Sequence, residues 1–259
     1  MTYDLSKYVG YTTNMSLTEV FIFLFVLVLV IFVIFEVIWI TTRAKRAVRA
    51  GEVAVPASQK GGENSLRVLV VGDSTAFGTG ASAPEFSMVG RLIADFPNLT
   101  VVNAAENALN VNQVRKKMQS LESEKFDIII IHVGGVDTLA FTSAKKIRKE
   151  LQNIFSCANK MQAKSVVLVS VNNVGSIPLF HFPINKIFRY RSLCISQLCH
   201  EESEKSSVVH VPLYAEKKEE PLYQNGIWHL SPDSIHPNDL GYEIWYKKVK
   251  LAVSPHIFN

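Results

Sequence analysis

Two short patterns at opposite ends of the chain hold residue types that can work together as a nucleophile and its base. Gly72-Asp73-Ser74 follows directly on the apolar run Leu66–Val71, which places a serine hydroxyl just past a strand tip. Serine is too weak an acid to attack a carbonyl unaided, so a base must lie near it in space and a further group must orient that base. Asp233-Ser234-Ile235-His236-Pro237 supplies both, with a carboxylate three residues before an imidazole. One turn of loop then suffices for Asp233 to fix the ring tautomer of His236. His229 is the rival base, but it lacks an adjacent orienting carboxylate. His132, inside an apolar run, is expected to be a core histidine. Either pattern alone is an ordinary turn sequence, because Gly, Asp and Ser all favour turns. The combination, at a strand end, carries the reading.

The elements that must position these residues follow from periodicity. Short apolar runs rich in β-branched residues occur at Leu66–Val71, Leu99–Asn103, Asp127–Val133, Ser165–Val171 and Val208–Leu213, and each predicts a strand. Between them lie amphipathic segments at Phe86–Phe96, Val111–Ser123, Ser143–Gln162 and Asn185–Lys205, with a closing helix from Asn238 to about Val253. Runs such as IIIIHV at 128–133 are apolar on both faces, as expected of parallel strands between helices. Right-handed crossovers then give a doubly wound α/β fold with a five-stranded parallel sheet. Chemistry in such a sheet gathers at the carboxyl ends of strands, here the loops opening at Gly72, Asn103, Gly134 and Asn172.

The chain has 259 residues, 48% of them hydrophobic, enough for one well-buried domain plus an appendage. After a short N-terminal segment, 1–19, residues 20–40 form an apolar block interrupted only by Glu36. As a helix it would span ~31 Å, the thickness of a bilayer core. It is too long for a signal-peptide core. Arg43, Lys45, Arg46 and Arg49 follow at once, so the positive-inside rule predicts a single-pass protein whose remaining domain faces the cytoplasm. Residues 41–65, basic and then rich in Gly and Pro, read as a juxtamembrane segment and flexible linker, leaving 66–259 as the catalytic-sized domain. Cys157, Cys194 and Cys199 form no even-numbered disulfide framework and match no zinc spacing. A net charge of +4, with its basic residues clustered beside the apolar block, argues against a nucleic-acid partner.

With Gly-Asp-Ser near the start of the domain and Asp-x-x-His-Pro near its end, the chain resembles the SGNH, or GDSL, hydrolases over about residues 66 to 253. That resemblance implies a flavodoxin-like fold and ester hydrolysis through an acyl-enzyme, with Ser74 as nucleophile, His236 as base and Asp233 as orienting acid. It implies neither a metal nor an organic cofactor. It also implies an oxyanion hole built from Ser74, Ala108 and Gly135, where two departures stand out. Ala108 occupies the position of the family's second-block glycine, and Val136, in Gly134-Gly135-Val136-Asp137, occupies that of the family's asparagine. Loss of one such donor typically costs about 10²–10³ in rate. Asn107, Asn110, Asn172 and Asn173, at neighbouring strand ends, are the residues that could replace it.

Proximity to a membrane favours a lipid or lysophospholipid substrate, with a carbohydrate or small-molecule O-acetyl ester next. The segment Ile177–Arg191, which joins aromatic residues to Lys186, Arg189 and Arg191, could cover an acyl cleft or touch a bilayer. A non-catalytic, membrane-tethered binding or scaffold protein on the same fold is the alternative of another class. A dinucleotide fingerprint at Gly78-Thr79-Gly80-Ala81-Ser82-Ala83 has the wrong spacing from its strand, and no acid ends the second strand. Gly-Asp-Ser-Thr-Ala also lacks the last glycine of an α/β-hydrolase elbow.

Overall fold

The computed structural model describes residues 16–258. Most of the segment 1–19 therefore lies outside the described residues. The chain divides after Ile40 into two units. The first consists, among the described residues, of the apolar part of helix α1 (Leu17–Val53), which is long and apolar enough to cross a membrane. Its large apolar side chains from Leu17 to Ile38 are mostly exposed.

The second unit begins within the same helix. Residues 41–65 depart from the linker expected of them. α1 continues through Ala44, Ala47 and Ala50 to Val53, because extending a helix already nucleated costs little and alanine and arginine are good helix formers. Pro56 then excludes further helix. Beyond it Gln59 pairs antiparallel with Val101, its N–H donating to the Val101 carbonyl at 2.9 Å and its carbonyl accepting from the Val101 N–H at 2.8 Å. The Gln59 side chain also donates to the Pro97 and Leu99 carbonyls. This segment covers the free edge of the sheet, which would otherwise expose a row of unpaired backbone groups.

The domain proper runs β1 (Arg67–Gly72), α2 (Ser74–Phe77), α3 (Met88–Asp95), β2 (Thr100–Asn103), α4 (Val111–Ser120), β3 (Ile128–Val133), α5 (Gly135–Leu139), α6 (Ala144–Lys160), β4 (Ser165–Ser170), α7 (Ile184–Lys205) and β5 (Val209–Pro212). A short hairpin, β6 (Tyr223–Gln224) and β7 (Ile227–Trp228), precedes the closing helix α8 (Asp239–Phe258). The five main strands pair in parallel in the order β2-β1-β3-β4-β5. All five expected strands form, each within one residue of the predicted limits at most positions, as do the five long helices. The two one-turn helices α2 and α5 were not anticipated, since four or five residues are too few to show a period.

β1 and β3 are buried along both faces, which explains their unbroken apolar runs. Val68 and Val70 join a core with Met88 and Leu92 of α3 and Tyr242, Trp245 and Val249 of α8. On the other side α4 packs on α6 and α6 on α7. Strand order reverses at β1, so the loops after β1 and β3 part to opposite faces and leave a crevice at their carboxyl ends. Gly72 and His132, the paired residues at those ends, mark its floor.

Because Gln59 closes the edge of β2 through its backbone, Gln59→Pro should remove one ladder bond and lower stability by about 1–3 kcal/mol. That corresponds to a fall of several degrees in Tm for a domain of this size. An unchanged melting curve would mean that Gln59 does not secure the edge of β2.

Candidate active site

β1 delivers Ser74 to the crevice through a one-turn helix. Asp73 caps α2, its Oδ1 accepting from the Thr75 N–H at 3.0 Å and from the Thr75 hydroxyl at 2.5 Å. The same hydroxyl lies 2.8 Å from Nδ1 of His132. Since that hydroxyl proton goes to Asp73, Nδ1 of His132 must carry the hydrogen of the second bond. Burial pushes the His132 pKa down, opposed by the charge of Asp73, so a neutral ring braces the turn from within the core. Thr75 and His132 thus hold the cap, and Ser74 at the first helical position points away from it, half-buried.

The loop from Ser231 to Pro237 carries the other two residues. It is closed by a bond from the Ser231 N–H to the His236 carbonyl at 2.8 Å and by an antiparallel bridge between Leu230 and Pro237. Ser234 takes a left-handed conformation (φ 62°) so that the turn can fold back on Asp233. Asp233 Oδ1 accepts from the backbone N–H groups of Ile235 and His236 at 2.8 and 2.9 Å, and Oδ2 accepts from Nδ1 of His236 at 2.7 Å. Nε2 of His236 lies 2.8 Å from Oγ of Ser74. Burial pushes the Asp233 carboxyl upward, but the bonds and charge of His236 and its neighbours outweigh it and hold the pKa down at about 2. His236 and Asp233 are almost fully buried.

Two contacts hold the segment after α2, residues 79 and 80, against this loop and α8. Gly80 (φ 97°) packs so closely that a Cβ there would lie 2.6 Å from the Pro237 carbonyl oxygen and 2.7 Å from Cβ of His236. Only glycine fits that conformation and that gap. Tyr242 of α8 donates its hydroxyl to the Thr79 carbonyl at 2.6 Å. His229 contributes backbone bonds instead, donating to Leu222 and accepting from Asn238. The structure therefore brings Ser74, His236 and Asp233 together and places His229 in the support of the loop.

These residues open onto an apolar cleft of about 550 Å³. Ala108, Gly135 and Val136 also line it, so the three expected oxyanion-hole positions and the valine face the same space as Ser74. Ala108 is left-handed (φ 62°), a conformation that glycine adopts without strain and alanine does not. Asp137 lies behind, fully buried, accepting from the Val111 N–H at 2.9 Å and so fixing α5 to the start of α4. Among the four asparagines considered as replacement donors, Asn107 and Asn172 border the cleft. Asn107 gives its amide to the Gly51 carbonyl and accepts from the Thr79 hydroxyl. Asn110 caps α4, and Asn173 donates to the Ala215 carbonyl.

The segment 177–191 divides its roles. Ile177 and Leu179 line the cleft, whereas Phe180 and Phe188 stack together, buried, at 4.0 Å between ring centroids. Arg191 donates to carbonyls of Asp137, Thr138 and Thr142 and covers the Phe141 ring, and Arg189 pairs with Glu216. Both arginines are structural partners in this arrangement. A larger depression, about 720 Å³, runs along the β2 edge beside residues 58–67 and holds none of the candidate residues.

Relief of the left-handed alanine is measurable. Ala108→Gly should raise stability by about 1 kcal/mol, or roughly 2–4 °C in Tm, by removing the Cβ clash. No gain would mean that the loop holds this conformation without cost.

Residues 70–244 match the model of the GDSL-like lipase/acylhydrolase family. No curated protein sequence matches the chain. Among solved structures, TesA superposes with a TM-score of 0.59 at 20% identity, covering 73% of this chain and 99% of that one. The extracellular lipase of Streptomyces rimosus gives 0.58 at 14% identity, over 73% and 100% of the two chains. The acetyl xylan esterase AlAXEase gives 0.57 at 17% identity, again over 73% and 100%. At such identities these likenesses speak for the fold, and the match of the family model over two-thirds of the sequence is what places the chain in the GDSL-like lipase/acylhydrolase family.

Proposed function

We propose that the protein is a membrane-anchored serine ester hydrolase in which Ser74 attacks a carboxylic ester, His236 is the base and Asp233 orients it. The observation that carries this reading is the unbroken hydrogen-bonded chain from Ser74 Oγ through His236 to an ionised Asp233 at the mouth of an apolar cleft. Asp233 accepts a hydrogen bond from Nδ1–H of His236, so Nε2 presents its lone pair to the Ser74 hydroxyl. As Ser74 Oγ bonds to the ester carbon, its proton passes to Nε2 and the carbonyl electron pair becomes an oxyanion. The backbone N–H groups of Ser74, Ala108 and Gly135 are its intended partners. Collapse expels the alcohol, which takes the proton from His236, and water repeats the sequence on the acyl-enzyme.

The lining of the cleft, chiefly Val136, Leu139, Val174, Ile177 and Leu179, supports an acyl group larger than acetyl, and a lipid or lysophospholipid ahead of an acetylated sugar. The cluster Arg43, Lys45, Arg46 and Arg49 after the apolar segment supports a cytoplasmic domain. Val136 favours one second reading, a binding protein that has lost turnover, because it removes a side-chain donor.

A fluorophosphonate probe separates the two. Labelling that vanishes in Ser74→Ala is the expected result, and an unlabelled wild-type chain would point to the binding protein. In the labelled enzyme Val136→Asn should raise esterase kcat by about 10²-fold if a donor is all that is missing. Turnover that stays level or falls would defeat that account.

A further inference from the structure

The residues just after the apolar part of α1 border the cleft with Val48 exposed and Ala47 and Gly51 partly buried, a placement that neither the family match nor the hydrogen-bonded trio requires. Ala44, Ala47, Val48 and Gly51 recur at helical spacing and so share one face of α1. That face borders the same cleft as Ser74 and His236. It is fixed there by a close backbone approach. Asn107 donates its amide to the Gly51 carbonyl at 3.1 Å, and a Cβ on Gly51 would lie 2.9 Å from that amide nitrogen, so a larger residue would displace the Asn107 side chain from this contact. Asn107 is itself steadied by Thr79 and adjoins Ala108, so the helix is coupled to the loop expected to supply an oxyanion donor. Arg46 lies 3.5 Å from the carbonyl of Pro232, the residue before Asp233.

We propose that residues 44–52 are a specificity-determining wall of the cleft, shaped to hold the single long acyl chain of an ester drawn from the membrane, such as a lysophospholipid. This rests on the serine-hydrolase reading above. The cleft of about 550 Å³ is of the size that buries most of a drug-sized ligand, and an acetyl group would leave most of it unfilled. Its apolar wall rewards each methylene added to the acyl chain. Ala44 follows Ile40 by four residues, a length of chain that reaches at most ~14 Å. By chain length alone, Ala44, the first residue of the wall, stays within that reach of the polar margin of any bilayer that takes up residues 20–40. An amphiphile already partitioned into that bilayer gains from the proximity, and a freely soluble acetyl ester does not.

The test uses the full-length chain in lipid nanodiscs, comparing kcat/KM for p-nitrophenyl laurate and p-nitrophenyl acetate. Ala47→Phe should fill the cleft from the helix side and lower the laurate-to-acetate ratio at least tenfold. Val48→Ala, which widens it, should not lower that ratio. A ratio unmoved by Ala47→Phe, or an equal loss on both esters, overturns the proposal. A second measurement is independent of turnover. A lysophosphatidylcholine bearing a diazirine at the end of its acyl chain, photolysed with the Ser74→Ala chain, should leave adducts within residues 44–52. Their absence overturns the helix wall even where the wild type accepts the fluorophosphonate. Adducts on an enzyme that the fluorophosphonate never labels would sustain the wall and defeat the hydrolase reading.

Discussion

A carboxylate that accepts three hydrogen bonds while buried has to be held from several directions at once, and Asp233 imposes that demand on the whole carboxyl end of the sheet. Two of its bonds come from the backbone of its own turn and the third from the ring of His236. The turn becomes rigid and the ring loses its freedom to flip. Ser74 lies 162 residues away in sequence, so a rigid turn helps only if a second set of contacts brings it to the tip of β1. Gly80 and the Tyr242 hydroxyl supply those contacts, and α8 presses the loop inward through the core that it shares with α3. Ser82 and Asp239 add a further clasp between the two ends of the domain, at 2.6 Å between hydroxyl and carboxylate.

The sheet contributes direction rather than chemistry. Five parallel strands point their carboxyl ends the same way, and the order reversal at β1 opens a crevice that the loops after β1, β2 and β3 border. The polar residues beneath are committed to holding those loops in place. Asp73 caps α2, His132 braces Asp73 through Thr75, and Asp137 binds the first N–H of α4. Each is buried, and each would be costly if unpaired. What remains open above them is lined mainly by apolar side chains, and it is this contrast that separates the supporting polar groups from the few left to face a substrate.

Much of this was legible in order along the chain. Strand runs that are apolar on both faces, such as 128–133, can be read without tertiary information because burial on both sides leaves no alternation to misinterpret. The pairing of Asp233 with His236 is local, three residues apart, and so also visible. The one-turn helices α2 and α5 were not, because they owe their form to a cap and a glycine rather than to a repeating pattern. Residues 41–53 continue α1 where their composition reads as linker, for a related reason. Gly51, Pro56, Gly61 and Gly62 look like linker composition, yet Gly51 is small so that α1 can touch Asn107, and Pro56 stops a helix that has already packed.

The sequence by itself determined the fold class, the apolar segment long enough for a bilayer, and the residue types of Ser74, Asp233 and His236, since each depends on composition or spacing over a few residues. Only the tertiary structure decided that His236, the base the sequence favours, meets Ser74 across 162 residues, that Asn107 gives its amide to a helix, and that Ala44, Ala47 and Gly51 line the cleft. These are meetings of segments tens to more than a hundred residues apart. Nothing in a local pattern records them, because the packing of the intervening sheet and helices, and not the spacing of the residues, sets the distance between them.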